Sequence, residues 1–389
     1  MGPDPAVAAV RLAVRRTLVD VGDHPVLVAC SGGADSLALL AATVFEARKH
    51  PWRVIGVTVD HALQEGSGHH AARVVEQMAA LGAHETAAIR VSVDPGGRGI
   101  EAAAREARYA ALEQLADHFG SSVVLLGHTL DDQAETVLLG LTRGSGGRSI
   151  AGMRVAFHPF RRPLLGITRA QTEAACRAEG IDFWRDPHNE DPRFTRARIR
   201  HRVMPMLEEE LGPGVAAALA RTAEGLREDM EALDNVAEEA LEDVRTDTGL
   251  DIALLETYDD AVRRRVLRLA AVAAGCPPGE LFRVHVLAID ELVREYRGQV
   301  RVELPGHVHV VREDDELRFS ARSDRRTDTP GSRRTDAPGD RRTDTPGGRR
   351  TDTPGGRRTD APGGRRTDAP GDRRTDGPAE PGGEGPVAG

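Results

Sequence analysis

Short β-branched runs alternate with longer stretches of helical composition along the first part of the chain. Residues 25–30 (PVLVAC) form an apolar run stopped by two glycines, residues 54–60 (VIGVTVD) are rich in β-branched side chains, and residues 86–93 and 122–126 read as further strands. Between them, residues 37–50, 71–81, 99–119 and 132–141 have the length and composition of helices. Strand and helix in alternation, joined by short connections, predict an α/β fold built on a Rossmann-like parallel sheet with helices on both faces. Ligands of such sheets bind beyond the carboxyl ends of the strands, so chemistry is expected just after each strand.

Further on, residues 215–244 and 259–274 carry long helical patterns, and residues 300–304, 307–312 and 316–320 read as short strands around Pro305-Gly306. This predicts a second, mainly helical domain ending in a small sheet. From Ala321 the sequence becomes an octapeptide array, Arg-Arg-Thr-Asp-x-Pro-Gly-x, whose arginine pairs begin at Arg325, Arg333, Arg341, Arg349, Arg357, Arg365 and Arg373. The array has no Leu, Ile or Phe to stack and is expected to be disordered. The expected division is therefore 1–205, 206–320 and a tail over 321–389.

Charge sharpens this division. The 389 residues carry 61 acids against 52 bases, a net charge of −9. The tail is arginine-rich, so the part expected to fold is more acidic still, which argues against non-specific nucleic-acid binding over its whole surface. Two stretches run against that trend. Arg143, Arg148, Arg154, Arg161, Arg162 and Arg169 fall in one acid-free segment, and Arg193, Arg196, Arg198, Arg200 and Arg202 in another. Each reads either as a solvated face or as an RNA-binding patch. The second predicts that Arg196→Glu with Arg200→Glu weakens RNA binding and spares nucleotide binding. Cys30, Cys176 and Cys276 are too few and too far apart for a disulfide framework, and no Cys-x-x-Cys is present. No apolar stretch approaches the roughly 20 residues of a membrane helix, so a cytoplasmic protein without a membrane partner is expected.

Directly after the first strand stands Ser31-Gly32-Gly33-Ala34-Asp35-Ser36, with a helix following at once. The glycines let successive amides point into one concavity, the two hydroxyls add donors and the helix start adds positive potential, which together make a phosphate cradle. It lacks the lysine and spacing of a Walker A loop. Asp35 beside phosphates implies an intervening cation, with Mg²⁺ as the natural bridge. The plain alternative is a glycine turn in which Asp35 and Ser36 cap the helix. Asp131, Asp132 and Glu135 open another helix after the fourth strand, where they either complement the helix dipole or face the cradle across the sheet and hold Mg²⁺ or an amine. His128 is core, cap or site residue, and Arg105 and Arg108, three apart on one helix, are a surface pair or ligands of an anion. Phe183, Trp184 and Phe194 lie in or beside an arginine-rich stretch, as core or as cover for a base.

A strand, then SGGADS, then a helix resembles the PP-loop ATP pyrophosphatase superfamily. The segments GIEAAAREARY (99–109), LGHTLDDQAET (126–136) and DPHNED…RARIRHRVMP (186–205), with Asp60 and His61 after the second strand, resemble its tRNA(Ile)-lysidine synthase branch over about residues 24–320. The resemblance implies ATP and Mg²⁺ as cofactors, and as partners free L-lysine and the isoleucine tRNA with a CAU anticodon. The wobble cytidine O2 would attack the α-phosphate, and the lysine ε-amine would then displace AMP at C2, changing codon reading from AUG to AUA and charging from methionine to isoleucine. It further implies that Ser31, Gly32, Gly33, Ala34, Asp35, Ser36, Asp60, His61 and His128 bind nucleotide. Asp35, Asp131 and Glu135 would hold the metal, and Asp35, Asp132, Arg105, Arg108 and Arg196 would carry the catalysis. Asp132 would hold the lysine ammonium and accept its proton, a step costing about 4–5 kcal/mol at pH 7 for a pKa near 10.4. A tRNA thiolase would share the cradle but usually needs cysteine pairs; a nucleotide-sensing module with an inactive cradle is the alternative outside enzymes.

Overall fold

The computed structural model describes residues 2–60, 66–92, 100–143, 147–187 and 190–321. His61 and the octapeptide tail lie outside them, as do the expectations placed there. Among the described residues no helix is long and apolar enough to cross a membrane.

The expected strands form. β1 (Val26–Ala29) lies between β2 (Val54–Asp60) and β4 (Val123–Leu126), parallel to both, with Val26 opposite Val54 and Val123. β3 (Glu85–Arg90) pairs on the outer side of β2, and the sheet order is β3-β2-β1-β4-β6-β5. The last two, β5 (Ala156–Phe157) and β6 (Phe160–Arg161), are a short antiparallel pair that the sequence reading lacks, with β6 running parallel to β4. β1 and β4 are buried on both faces, which explains their unbroken apolar runs.

Helices cover both faces. Val26 and Val28 pack with α1 (Pro5–Thr17), α2 (Ala34–Ala47), α3 (Ser67–Ala80) and α7 (Arg169–Ala178); Leu27 points the other way, to α4 (Ile100–Phe119) through Leu112 and Ala116. α1 is absent from the sequence reading although its start is well signalled. Asp4 caps the Ala6 amide, Pro5 opens the helix, and Val7, Val10, Val14 and Leu18 make its buried stripe. α2 begins at Ala34, three residues before the expected start, because Gly33 takes the N-cap position.

α5 (Leu130–Arg143), the short α6 (Gly147–Ile150), α8 (Thr195–Arg198), a π-helical turn over Ile199–Val203 and α9 (Met204–Glu210) lead to α10 (Val215–Val244). α10 packs on α5 and α6 and also on α12 (Asp260–Ala273), so one helix serves both halves of this compact unit. Asp234 on α10 takes Arg148 from one side at 2.8 Å and Arg265 from the other at 2.9 Å.

Beyond α10, β7 (Leu250–Asp251), α11 (Ile252–Thr257), α12 and α13 (Arg283–Arg294) precede β8 (Val302–Leu304), β9 (Val308–Glu313) and β10 (Glu316–Ala321). The four strands form an antiparallel sheet in the order β7-β10-β9-β8, matching the expected small sheet. A buried charge cluster ties its helices together. The Arg263 side chain is 1% exposed, and its Nε meets Asp290 at 2.7 Å; Arg264 meets the other Asp290 oxygen, also at 2.7 Å.

Candidate active site

The cradle forms at the carboxyl end of β1. The Ser31 amide donates to the Ser36 hydroxyl at 3.1 Å, and that hydroxyl donates to the Gly33 carbonyl at 3.0 Å, closing the loop on itself. Gly32 has φ +83°, and a Cβ there would lie 2.8 Å from Val74 Cγ2, so the position requires glycine on both counts. Gly33 offers no side chain to cap α2, which leaves the first-turn amides of Ala34, Asp35 and Ser36 for an anion.

The fourth strand meets the cradle. A Cβ on Gly127 would lie 3.1 Å from the Asp35 carbonyl and Ser36 Cα, so glycine lets the end of β4 approach the start of α2 by a few tenths of an ångström more than a side chain would allow. α5 follows at once, and it starts with a capping box. The Thr129 amide donates to Asp132 at 2.9 Å, and the Asp132 amide points back at the Thr129 hydroxyl at 3.4 Å. Asp132 thus caps the helix and, through its other oxygen, faces the site.

Three acids and three arginines meet there. Arg169 Nη2 lies 2.9 Å from Asp132 and 3.6 Å from Glu135, with its Nε 3.8 Å from Asp35. Arg200 bridges Glu135 at 2.7 Å and Asp132 at 3.2 Å. Arg196 donates to the Thr136 hydroxyl at 2.8 Å, while its buried Nε stands 3.4 Å from Glu135 without a hydrogen bond. Asp132 and Glu135 are each shared between arginines while Asp35 meets Arg169, and several contacts are longer than a good charge-assisted hydrogen bond.

The environment moves these acids apart. Burial lifts the Asp35 carboxyl to about 6, against the Thr172 hydroxyl that donates to it and the Arg169 charge. Burial also pushes Asp132 upward, but the Arg169 charge, the Thr129 amide and Arg200 hold it below the usual range. Burial pushes the His128 imidazole well down, aided by Arg162, Arg105 and Arg196, so it is neutral. Its Nδ1 accepts from Arg162 at 3.2 Å, and Arg162 also donates to the Tyr109 hydroxyl at 2.9 Å. Arg105 reaches the same hydroxyl at 3.2 Å, which puts it beside His128.

Not every expected residue joins this cluster. The metal trio of Asp35, Asp131 and Glu135 is not assembled: Asp131 points to α7, where it accepts from the Arg169 amide at 2.8 Å, because adjacent helix positions face about 100° apart. Among the described residues no three His, Cys, Asp or Glu side chains group as a metal site. Asp35 alone still suits a cation, being a half-buried carboxylate beside the cradle whose nearest guanidinium nitrogen is 3.8 Å away. Asp60 closes β2 in an ion pair with Arg90 at 3.0 Å, and Arg108 sits exposed on α4. The RNA patch expected over 193–202 is divided, since Arg196 and Arg200 face Glu135. Reversing both charges would disturb the cradle's neighbour as well as any RNA surface. Arg161 is likewise engaged, by Asp20.

Arg169, Thr172, Thr129 and Arg200 are site residues that sequence reasoning missed in that role. A signal existed in charge balance, because three acids gathered at the end of a buried sheet require three cations.

The geometry has counterparts among known proteins. A family described as the PP-loop domain matches residues 8–207, and the TilS substrate binding domain matches residues 250–318. The tRNA(Ile)-lysidine synthase of Thermobifida fusca (strain YX) is 51% identical over 322 residues, covering 82% of this chain and 99% of that protein. Those of Streptomyces coelicolor and Salinispora arenicola are 48% and 50% identical, covering 82% and 79% of this chain and 99% and 94% of their own. With the cradle, the carboxylates at the end of β4 and a relative matched along nearly its whole length, the chain belongs to the tRNA(Ile)-lysidine synthase family.

Proposed function

We propose that this chain joins the ε-amine of free lysine to C2 of the wobble cytidine in a CAU-anticodon isoleucine tRNA, at the expense of ATP. The observation that carries the reading is the contact at Gly127, which sets an anion cradle and an acid cluster suited to an amine side by side. A pyrophosphate leaving group and a cationic nucleophile need these two environments within one site.

In the first step, cytidine O2 attacks the α-phosphorus and the bond to pyrophosphate breaks. The cradle amides receive the phosphates, and Arg169 and Arg200 lie close enough to turn from the acids towards them. Mg²⁺, when bound, would be held by Asp35 with phosphate oxygens and would neutralise the leaving group. In the second step, lysine Nε bonds to C2, the C2–O2 bond breaks, and AMP departs with the oxygen. Asp132 and Glu135 hold the ammonium beforehand. Once the guanidiniums have turned away, burial acts on Asp132 without their opposition, its proton affinity rises, and it can accept the proton that the amine must lose.

Lysine incorporation into CAU-anticodon tRNA tests the reading, with ATP present and Asp35→Ala and Asp132→Ala as controls. Incorporation by the unaltered chain and its loss in both variants is the expected result. No incorporation at all, or undiminished incorporation in both variants, overturns it.

A further inference from the structure

Trp184 is one of only two tryptophans in a chain with 3% aromatic residues, and it is not spent on the core. Its neighbour Phe183 packs against the core that α1, α2, α3 and α7 share; Trp184 is half-buried beyond it and tilts over His70, ring centroids 3.9 Å apart. Both are fastened to the cradle itself. The Trp184 amide donates to the Gly32 carbonyl at 2.9 Å, and His70 Nε2 lies 2.9 Å from the Ser31 carbonyl. The pair therefore sits on the α3 side of the phosphate loop.

A recess of about 310 Å³ opens there, lined by His70, Arg73, Gln77, Phe183, Trp184 and Arg185 besides Asp182. Arg73 is exposed, and Arg185 shares the Glu173 carboxylate with Arg177. Among the described residues lining the recess, Asp182 is the one acid against Arg73 and Arg185, so cations prevail. Aromatic faces flanked by guanidiniums are how proteins hold unstacked nucleotides of single-stranded RNA, the ring taking the base and the arginines its phosphate.

We infer that His70, Trp184, Arg73 and Arg185 form a stacking subsite for the anticodon-loop nucleotide adjacent to the wobble cytidine. The inference rests on the proposed tRNA substrate. With the cytidine at the α-phosphate above the cradle, the adjoining nucleotide is one backbone step away, and the platform is bonded to the same loop. A base seated there helps keep the cytidine unstacked and extruded.

Trp184 fluorescence provides the test, read in a Trp52→Phe background because Trp52 is the other tryptophan and is buried. Titration with a CAU anticodon stem–loop is expected to quench the emission, and titration with ATP alone is not. Trp184→Ala is expected to weaken stem–loop binding on the order of tenfold, with Trp184→Phe recovering most of it and ATP affinity unchanged. Arg73→Ala with Arg185→Ala, which leaves the ring in place, is expected to weaken stem–loop binding and lessen its salt dependence. Lysine incorporation by the unaltered chain is measured alongside, so that its absence identifies a failure of the functional reading. If incorporation is intact but the stem–loop leaves emission unchanged, or Trp184→Ala loses ATP and stem–loop binding equally, the subsite is refuted.

Discussion

Two buried charge clusters among the described residues are built differently. In the C-terminal half, Arg263 and Arg264 each take one oxygen of Asp290 at 2.7 Å, and Arg263 also donates to the Tyr258 carbonyl at 2.8 Å. Partners there are assigned and close. At the end of the parallel sheet, Arg169 is spread over three acids at 2.9, 3.6 and 3.8 Å, and a buried Arg196 nitrogen lacks a hydrogen bond altogether. The first arrangement is a fastening between α12 and α13. The second is only partly satisfied: Arg200 holds Glu135 at 2.7 Å, but Arg169 is stretched and Arg196 incompletely bonded, so incoming phosphate or ammonium can take over a partner at a smaller cost.

That contrast is open to test. Asp132→Asn, which keeps a side-chain oxygen to cap α5, is expected to lower lysine incorporation by on the order of 10²–10⁴-fold with a smaller loss of melting temperature than Asp290→Ala. Asp290→Ala is expected to do the reverse, destabilising the fold by about 3–5 kcal/mol while the folded fraction remains active. Comparable losses of thermal stability in the two variants would erase the distinction. Next in size, equilibrium dialysis is expected to find lysine bound on the order of tenfold more tightly when a non-hydrolysable ATP analogue has drawn the arginines away. In Arg200→Ala this dependence on nucleotide is expected to shrink; an unaltered ratio would mean the arginines do not compete with the amine.

A smaller effect concerns Asp35. Its folded-state carboxyl is raised to about 6 from an ordinary 3.8, so between those values the folded protein binds more protons than the unfolded chain. In the nucleotide-free protein its contribution to stability therefore declines as pH rises through that window. The melting temperature of Asp35→Asn is expected to gain on the unaltered chain from pH 4 to pH 6.5, and a constant difference would contradict the assignment. Smallest of all, truncation after Ala321, the last residue of β10, is expected to change lysine incorporation less than twofold.

The parallel sheet was legible because β1, β2 and β4 are short, apolar and β-branched, and because their connections leave room for little else. α1 and α13 were equally amphipathic but went unread, and the β5–β6 pair is too short to carry a periodic signal. At the site, the cradle could be read residue by residue since its chemistry is local. Arg169 and Arg200 could not, because they arrive from α7 and the π turn after α8, and nothing in an arginine's immediate neighbours says which acid it will meet. Asp131 and Asp132 illustrate the limit: neighbours of identical chemistry, sent by one helical step to different partners.

α10 is thirty residues long, a rod of about 45 Å. It packs on α5, the helix that carries Asp132 and Glu135, and on α12. Because Asp234 on this rod holds Arg148 on one side and Arg265 on the other, a single substitution there would loosen the seat of α10 on α6 and on α12 at once.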